Sequence, residues 1–130
     1  MSNHRRSPVT RPSLVAPFAL AVLTTGAALA QGLPRSFEAS PDIYKVIAED
    51  ARYRVIAVTW KPGQRDQLHS HPASAVYYLT DCSVRVHLPD GTFRDYRPPA
   101  GTAIVQAPIP GHALENTGTS DCKIIIFEPS

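Results

Sequence analysis

The chain has 130 residues, which is enough for one small domain. Residues 1–30 carry three of the 13 basic residues and none of the 11 acidic ones, so the remainder has 10 basic residues against 11 acidic ones. A nucleic-acid partner requires a concentrated basic face, and the basic residues beyond position 30 are spread among acids. We therefore expect no nucleic-acid partner.

Residues 1–30 show the order of regions that is typical of a secretory signal peptide. Three arginines come first, residues 14–23 are almost wholly apolar, and Ala28-Leu29-Ala30 supplies the small residues of a cleavage site. The apolar run is short for a membrane span, which needs about 20 residues, although 14–30 is long enough for an uncleaved anchor. We expect cleavage after Ala30 and a periplasmic or extracellular protein without a stable membrane span.

The remaining chain is predicted to be all-β. Residues 31–42 contain two prolines and no periodicity, which indicates a flexible N-terminal arm before a single domain over residues 43–130. Nine short β-rich runs with turn signals between them favour an antiparallel sandwich or barrel, such as a jelly roll. The runs are 43–48, 53–60, the stretch between Gly63 and Pro72, 75–79, 83–88, 92–97, 102–107, 112–116 and 122–128.

Three histidines mark the expected site. His69 and His71 are two residues apart in a predicted strand, so strand alternation directs both rings to the same face. His112 follows a predicted Pro110-Gly111 turn and opens another run, from which it can approach on a neighbouring strand. One such histidine is an ordinary polar residue, but the three together favour a metal site. His87 has the opposite phase in its strand and is expected at the surface.

The sequence resembles the cupin superfamily of small β-barrels. Its first motif reads G-x5-H-x-H-x3or4-E-x6-G, and its second reads G-x5-P-x-G-x2-H-x3-N. The first is matched at the family's spacing by Gly63, His69 and His71. The second is matched, with one interval a residue longer and one two residues shorter, by Gly101, Pro108, Gly111, His112 and Asn116. The resemblance implies a single-domain cupin-type jelly-roll β-barrel.

The motif's glutamate is missing from this chain. It would fall on Ala75, or on Val76 with the longer spacing, and neither side chain can bind a metal. The resemblance then implies a three-histidine site for one divalent metal, as in cupin dioxygenases of the cysteine dioxygenase type. Fe(II) is the expected ion, with zinc, manganese, copper or no metal as alternatives. Three neutral imidazoles leave the ion's charge uncompensated, so such a site should favour a chelating anion.

Three further side chains are candidates for contacts around the metal. Gln67 precedes His69 on the same predicted strand face, where it can support a ligand or touch a substrate. Tyr77 would face inward if the first possible glutamate position does, and it is then either a proton donor or part of the core. Asn116 is four residues beyond His112, where it either donates a hydrogen bond within the site or stabilises a turn.

Cys82 and Cys122 are expected to form a disulfide, because an exported domain lies in an oxidising compartment. In a jelly roll the last strand pairs beside the strand that precedes Cys82. The turn that contains Cys82 and the start of the last strand, at Cys122, then fall at the same end of the barrel. A pair of free buried thiols is the alternative.

Three functions remain open at this point, and the sequence does not decide whether the protein is an enzyme. It can be an iron(II) dioxygenase-like enzyme acting on a small chelating acid or thiol. It can be a cupin that binds or senses a small molecule or metal without chemistry, or a dimer-forming module with a vestigial site. We expect a homodimer through a barrel edge, because an open sandwich exposes unpaired backbone groups.

Overall fold

The computed structural model describes residues 32–130, so the predicted signal peptide lies outside the described residues. A short helix, α1 (Ser36–Ala39), precedes nine strands. The strands are β1 (Tyr44–Glu49), β2 (Tyr53–Trp60), β3 (His69–His71), β4 (Ser74–Tyr78), β5 (Val84–His87), β6 (Phe93–Tyr96), β7 (Ala103–Gln106), β8 (Ile109–Asn116) and β9 (Cys122–Pro129). Within residues 32–130, no helix is long and apolar enough to cross a membrane.

The strands form two antiparallel sheets that face each other across the core. One sheet has the order β1-β2-β9-β4-β7, and the other has the order β3-β8-β5-β6. Alternate residues of β2 and β9 are buried between the sheets, including Ile56, Trp60 and Ile124, as the period of two in a strand requires. The predicted all-β jelly roll is confirmed. The sheets do not close into a complete barrel, so β6 and β7 remain edge strands.

Strand β8 begins earlier than the sequence predicts, because the expected turn at Pro108–Gly111 is largely part of the strand. The register between β3 and β8 shifts between His69 and His71. Pro110 lies opposite this irregularity, where a residue without an N–H is tolerated within a sheet. The same register makes His69 and His112 direct cross-strand partners.

The described part of the predicted flexible arm is packed on the sheets instead of being loose. Residues Ser36 and Ser40 are buried, and Ser40 Oγ accepts a hydrogen bond from the N–H of Gln67 at 2.9 Å. Arg35 donates a hydrogen bond to the buried carboxylate of Glu128 at 2.7 Å. These partners are remote in sequence, so the lack of periodicity in the arm could not reveal them.

Cys82 and Cys122 form the predicted disulfide, with their Cα atoms 5.0 Å apart. Strand β9 pairs with β4, which precedes Cys82 in the chain, so the strand order brings the two cysteines together as expected. The bond closes a loop with a sequence separation of 40 residues.

We predict that the double substitution Cys82→Ala and Cys122→Ala lowers the free energy of unfolding by about 4 kcal/mol, because the disulfide restricts the unfolded chain. Urea unfolding of the oxidised wild type and the variant measures this difference. The wild type under reducing conditions is the control and should match the variant. An unchanged free energy of unfolding would contradict the prediction.

Candidate metal centre

Three buried histidine rings converge between β3 and β8. His69 and His71 face inward from alternate positions of β3, and His112 faces them from β8, with exposures of 0%, 5% and 8%. One ring nitrogen of each lies within 4.8 Å of the others. The Nε2 atoms of His69 and His71 are 2.9 Å apart. The predicted convergence of the three imidazoles is therefore present in the structure.

The donor set fits a divalent metal. His112 Nε2 is buried and has no hydrogen-bond partner among residues 32–130, which costs free energy unless another group satisfies it. Two nitrogens bound to one metal at about 2.1 Å lie about 3.0–3.4 Å apart, close to the separation of the first two Nε2 atoms. Imidazole is a suitable ligand for iron, zinc, copper and nickel.

Backbone and carboxylate groups fix the orientation of two of the rings. His69 Nδ1 lies 2.7 Å from the carbonyl oxygen of Gln67, which can only accept, so this nitrogen carries the proton and Nε2 keeps its lone pair. His71 Nδ1 points in the same way to Glu128 Oε2 at 3.4 Å. Such contacts orient metal-binding histidines. A contact through the side-chain amide of Gln67 was expected. That side chain is exposed, and the contact to His69 is made by the backbone carbonyl instead.

A buried carboxylate, Asp66, lies behind His69. It accepts hydrogen bonds from the phenol of Tyr44 at 2.7 Å, the indole N–H of Trp60 at 3.0 Å and the N–H of Leu114 at 2.7 Å. One of its oxygens is 3.7 Å from His69 Nδ1. Three donors from three segments of the chain therefore hold this carboxylate beside a candidate ligand.

A second buried carboxylate, Glu128, lies behind His71. Arg35 is hydrogen-bonded to it, and Arg54 Nη1 lies 3.7 Å from the same oxygen. Burial raises the pKa of Glu128, but the hydrogen bonds from His71 and Arg35 outweigh it and lower the pKa overall, so the group is ionised at neutral pH. With Asp66, it places carboxylates around the histidines. The three candidate ligands themselves remain neutral imidazoles, so the expectation of an anionic ligand stays a prediction.

Two of the three histidines, His69 and His112, resist protonation. Burial, together with repulsion of positive charge by the neighbouring His69 and His71, lowers the pKa of His112 to about 3. Burial also lowers the pKa of His69, although Asp66 opposes that effect. Only neutral imidazole binds a metal, so these two rings stay competent below their ordinary pKa of about 6.5.

Tyr44 also lies at this centre, although no motif in the sequence marks it. Its hydroxyl oxygen is 3.4 Å from His69 Nε2, and its ring meets the edge of the His69 ring at a centroid distance of 5.2 Å. Burial, together with the charge of Asp66, raises the pKa of Tyr44 well above its usual value, so the phenol is neutral. Nothing in the sequence distinguishes Tyr44 from a tyrosine of the core. Asp66 and Glu128 likewise lie outside the two cupin motifs.

Tyr77 is on the outer face of β4 and is 44% exposed, so the expected inward orientation is wrong. The buried positions of this strand are Ser74, Val76 and Tyr78. The position of the motif's glutamate that faces the histidines is consequently Val76 and not Ala75. The phase of a short strand depends on where the preceding loop ends, and the sequence did not determine it.

Asn116 has the turn role, one of the two roles considered for it. Its amide nitrogen donates to the carbonyl oxygens of Trp60 at 2.9 Å and Ser120 at 2.8 Å. Its amide oxygen accepts from the N–H of Gly118 at 2.9 Å. All its hydrogen-bonding groups stabilise the connections around β8 and β9, and none is directed at the histidines.

Two cavities adjoin the histidines. A small one of about 40 Å³ is bordered by Tyr44, His71, Val76 and His112, among others. A larger one of about 510 Å³ lies between the two sheets and also reaches His112. The small cavity has room for one or a few water-sized groups, which need about 10–15 Å³ each.

No family model and no curated protein matches the sequence. Solved structures do match it. A cupin domain from Bordetella pertussis has a TM-score of 0.62 at 17% identity, over 77% of this chain and 98% of that one. The chain has the cupin fold. This agrees with the motif resemblance, and at this identity the likeness concerns the fold alone.

Two other solved structures have a similar fold. The polyketide cyclase RemF from Streptomyces resistomycificus has a TM-score of 0.53 at 19% identity, over 66% of this chain and 63% of that one. A double-stranded β-helix protein from Klebsiella pneumoniae has a TM-score of 0.53 at 21% identity, over 67% and 76%. The three matches therefore agree on the fold of the domain that carries the histidines.

We predict that the metal-free protein loses stability as the pH falls below about 6.5. The folded protein keeps His69 and His112 neutral, whereas the unfolded chain binds protons there, so stability that is present above pH 6.5 is lost toward the folded pKa, about 3 for His112. Each such group contributes a slope of up to about 1.4 kcal/mol per pH unit. Urea unfolding between pH 7.5 and 4.5 measures it.

The variant His112→Gln is the control for this slope, because it removes one of the two groups. Its free energy of unfolding should decline less steeply with falling pH than that of the wild type. Equal slopes in the two proteins would show that His112 is not kept neutral by the fold.

Proposed function

We propose that this protein is an exported cupin that holds one divalent metal at His69, His71 and His112 and binds a small molecule beside it. The observation that carries the proposal is His112 Nε2, a buried nitrogen that lies close to two other imidazoles and has no hydrogen-bond partner in the described part of the chain. Nitrogen ligands on two adjacent strands, with their other ring positions hydrogen-bonded in two of three cases, are typical of a metal site.

The surrounding residues prepare this site in three ways. The Gln67 carbonyl and Glu128 orient the rings of His69 and His71. Asp66 holds the phenol of Tyr44 beside His69, where it offers a neutral hydroxyl group. A bound metal would act as a Lewis acid on an oxygen-containing ligand. The small cavity next to the histidines is where such a ligand group fits.

The specific activity that we propose is oxygen-dependent turnover of a chelating acid or thiol with Fe(II). The neutral nitrogen donors and the buried cavity support it, and RemF shows that the fold supports catalysis in another protein named as a polyketide cyclase. Binding without turnover is the alternative. Elemental analysis of native protein, with oxygen consumption measured against small acids and thiols, separates the two. Zinc or copper, which affinity alone favours over iron, would disfavour the oxygenase.

Export and dimerisation belong to the same proposal. The order of regions in residues 1–30 supports export, as does the disulfide, since disulfides persist in oxidising compartments. A homodimer is supported by β7, an edge strand of the larger sheet. Val105 in its centre is 88% exposed, beside the partly exposed apolar side chains of Ile104 and Phe127. Exposed apolar edges of this kind are commonly covered by a second chain.

We predict that replacing His69, His71 or His112 by alanine removes most of the bound metal, with affinity for zinc falling at least about tenfold. The remaining two imidazoles cannot complete the coordination of the ion. Calorimetric titration of the metal-free variants with zinc measures the affinity, and elemental analysis after loading and dialysis measures occupancy.

The matched control is His87→Ala. His87 is half-buried, and its Nε2 lies 2.8 Å from Glu115 Oε2, outside the cluster of three histidines. This variant should retain full occupancy. The proposal is wrong if His87→Ala loses as much metal as His112→Ala, or if the wild type stays empty in excess iron, zinc, manganese and copper.

We predict that Val76→Glu tightens zinc binding by at least about tenfold, because it adds an anionic oxygen at the inward position of the missing motif glutamate. Val76 is buried and borders the small cavity with His71 and His112. The control is Ala75→Glu, which lies on the opposite face of β4 and should leave the affinity unchanged. Competition with a chelator measures both, and equal affinities in the two variants would count against the assigned phase.

A further inference from the structure

The larger cavity is an apolar chamber between the two sheets. It has a volume of about 510 Å³ and draws its walls from β4, β5, β6, β7 and β8 and from the segments flanking β6 and β7. The aliphatic part of its lining consists of Val84, Val86, Ile104, Ile109 and Leu114. Six further lining residues carry polar side chains, and they are Tyr78, Tyr96, Arg97, Thr102, Gln106 and His112. The amide of Gln106 is already hydrogen-bonded to Ser74 Oγ at 2.8 Å. The aliphatic part of the wall favours a hydrocarbon or aromatic body, and Arg97 adds a positive charge to the same wall.

The chamber and the small cavity beside the histidines are neighbours. His112, Leu114 and Tyr78 border both of them, as do Ile104 and Gln106. A single ligand can therefore place a polar head of a few atoms at the histidines and extend its body into the chamber.

The volume of the chamber decides against a very small ligand. Cavities of about 300–1,000 Å³ typically enclose drug-sized molecules. An acid of two or three carbons would leave most of the apolar wall without contacts, and unfilled apolar surface contributes nothing to affinity. The gain comes from burying hydrocarbon, at roughly two- to fourfold in affinity for each added methylene group.

We propose that the ligand of this site is a chelating acid with an extended apolar body, of the class of 2-oxo or 2-hydroxy acids with a chain of about six or more carbons. The assignment of the head group depends on the proposed metal site, whereas the assignment of the apolar body depends on the chamber alone. This replaces the broader expectation of a small chelating acid or thiol with longer-chain acids.

The first test is a chain-length series on the zinc-loaded full chain. Calorimetry with 2-oxopropanoate, 2-oxobutanoate, 2-oxohexanoate and 2-oxooctanoate should show affinity that rises at each step. The total gain should be at least about 30-fold, which is roughly twofold for each of the five added methylene groups. Equal affinities across the series would overturn the inference.

The second test fills the chamber. Val86→Trp adds an indole to its wall, and it should reduce the gain from 2-oxopropanoate to 2-oxooctanoate to about threefold or less while zinc binding is retained. The matched control, Ile47→Trp, adds the same side chain at an exposed position of β1 outside the chamber and should keep the full gain. Full chain-length dependence in Val86→Trp would show that the body lies elsewhere.

The third test separates the two proposals, because it needs no metal. Ligand-observed NMR of the chelator-treated wild type should detect 2-oxooctanoate binding and a weaker signal with Val86→Trp. If zinc fails to bind while this preference persists, the metal proposal falls and the chamber assignment stands. If zinc binds but neither the loaded nor the metal-free protein prefers the longer acid, the chamber assignment falls alone.

Discussion

Two buried carboxylates outside the ligand set, Asp66 and Glu128, are the constraint on which the site depends. A buried carboxylate is costly unless hydrogen bonds satisfy it. Asp66 receives three hydrogen bonds from protein donors, and Glu128 is paired with Arg35. Because each also lies beside a histidine Nδ1, the groups that satisfy the carboxylates fix the imidazoles at the same time. Both carboxylates therefore lie directly behind the histidines, and neither belongs to the set of candidate ligands.

The sequence was sufficient for the fold and for the three histidines, because both depend on local patterns. Strand alternation over two residues puts His69 and His71 on one face, and short runs between turn residues identify most strands. The disulfide followed from the strand order that the resemblance implies. The predicted start of β8 was wrong, because Pro110 was interpreted as a turn residue. Only the irregular pairing with β3 explains why a proline is accommodated there.

The supporting residues could not be read from the sequence for a different reason. Glu128 is 57 positions from His71, and Tyr44 is 22 positions from Asp66, so no local period connects them. Their signal is chemical, a charged or phenolic group on the buried face of a strand, but burial itself must be known first. The prediction for Tyr77 was wrong for the opposite reason. Its phenol has suitable chemistry, but the alternation of β4 is shifted by one residue from the expected one, so the side chain lies on the outer face.

The position of Arg35 has a practical consequence for handling the protein. This guanidinium is hydrogen-bonded to Glu128, which in turn faces the ring of His71, so the start of the described chain is two contacts away from a candidate ligand. Removal of the chain up to and including Arg35, by a contaminating protease or by deliberate shortening, would expose the carboxylate of Glu128 to water. The ring of His71 would then lose the group that orients it. A shortened preparation is therefore unsuitable as the reference for metal affinity, even if it is well folded.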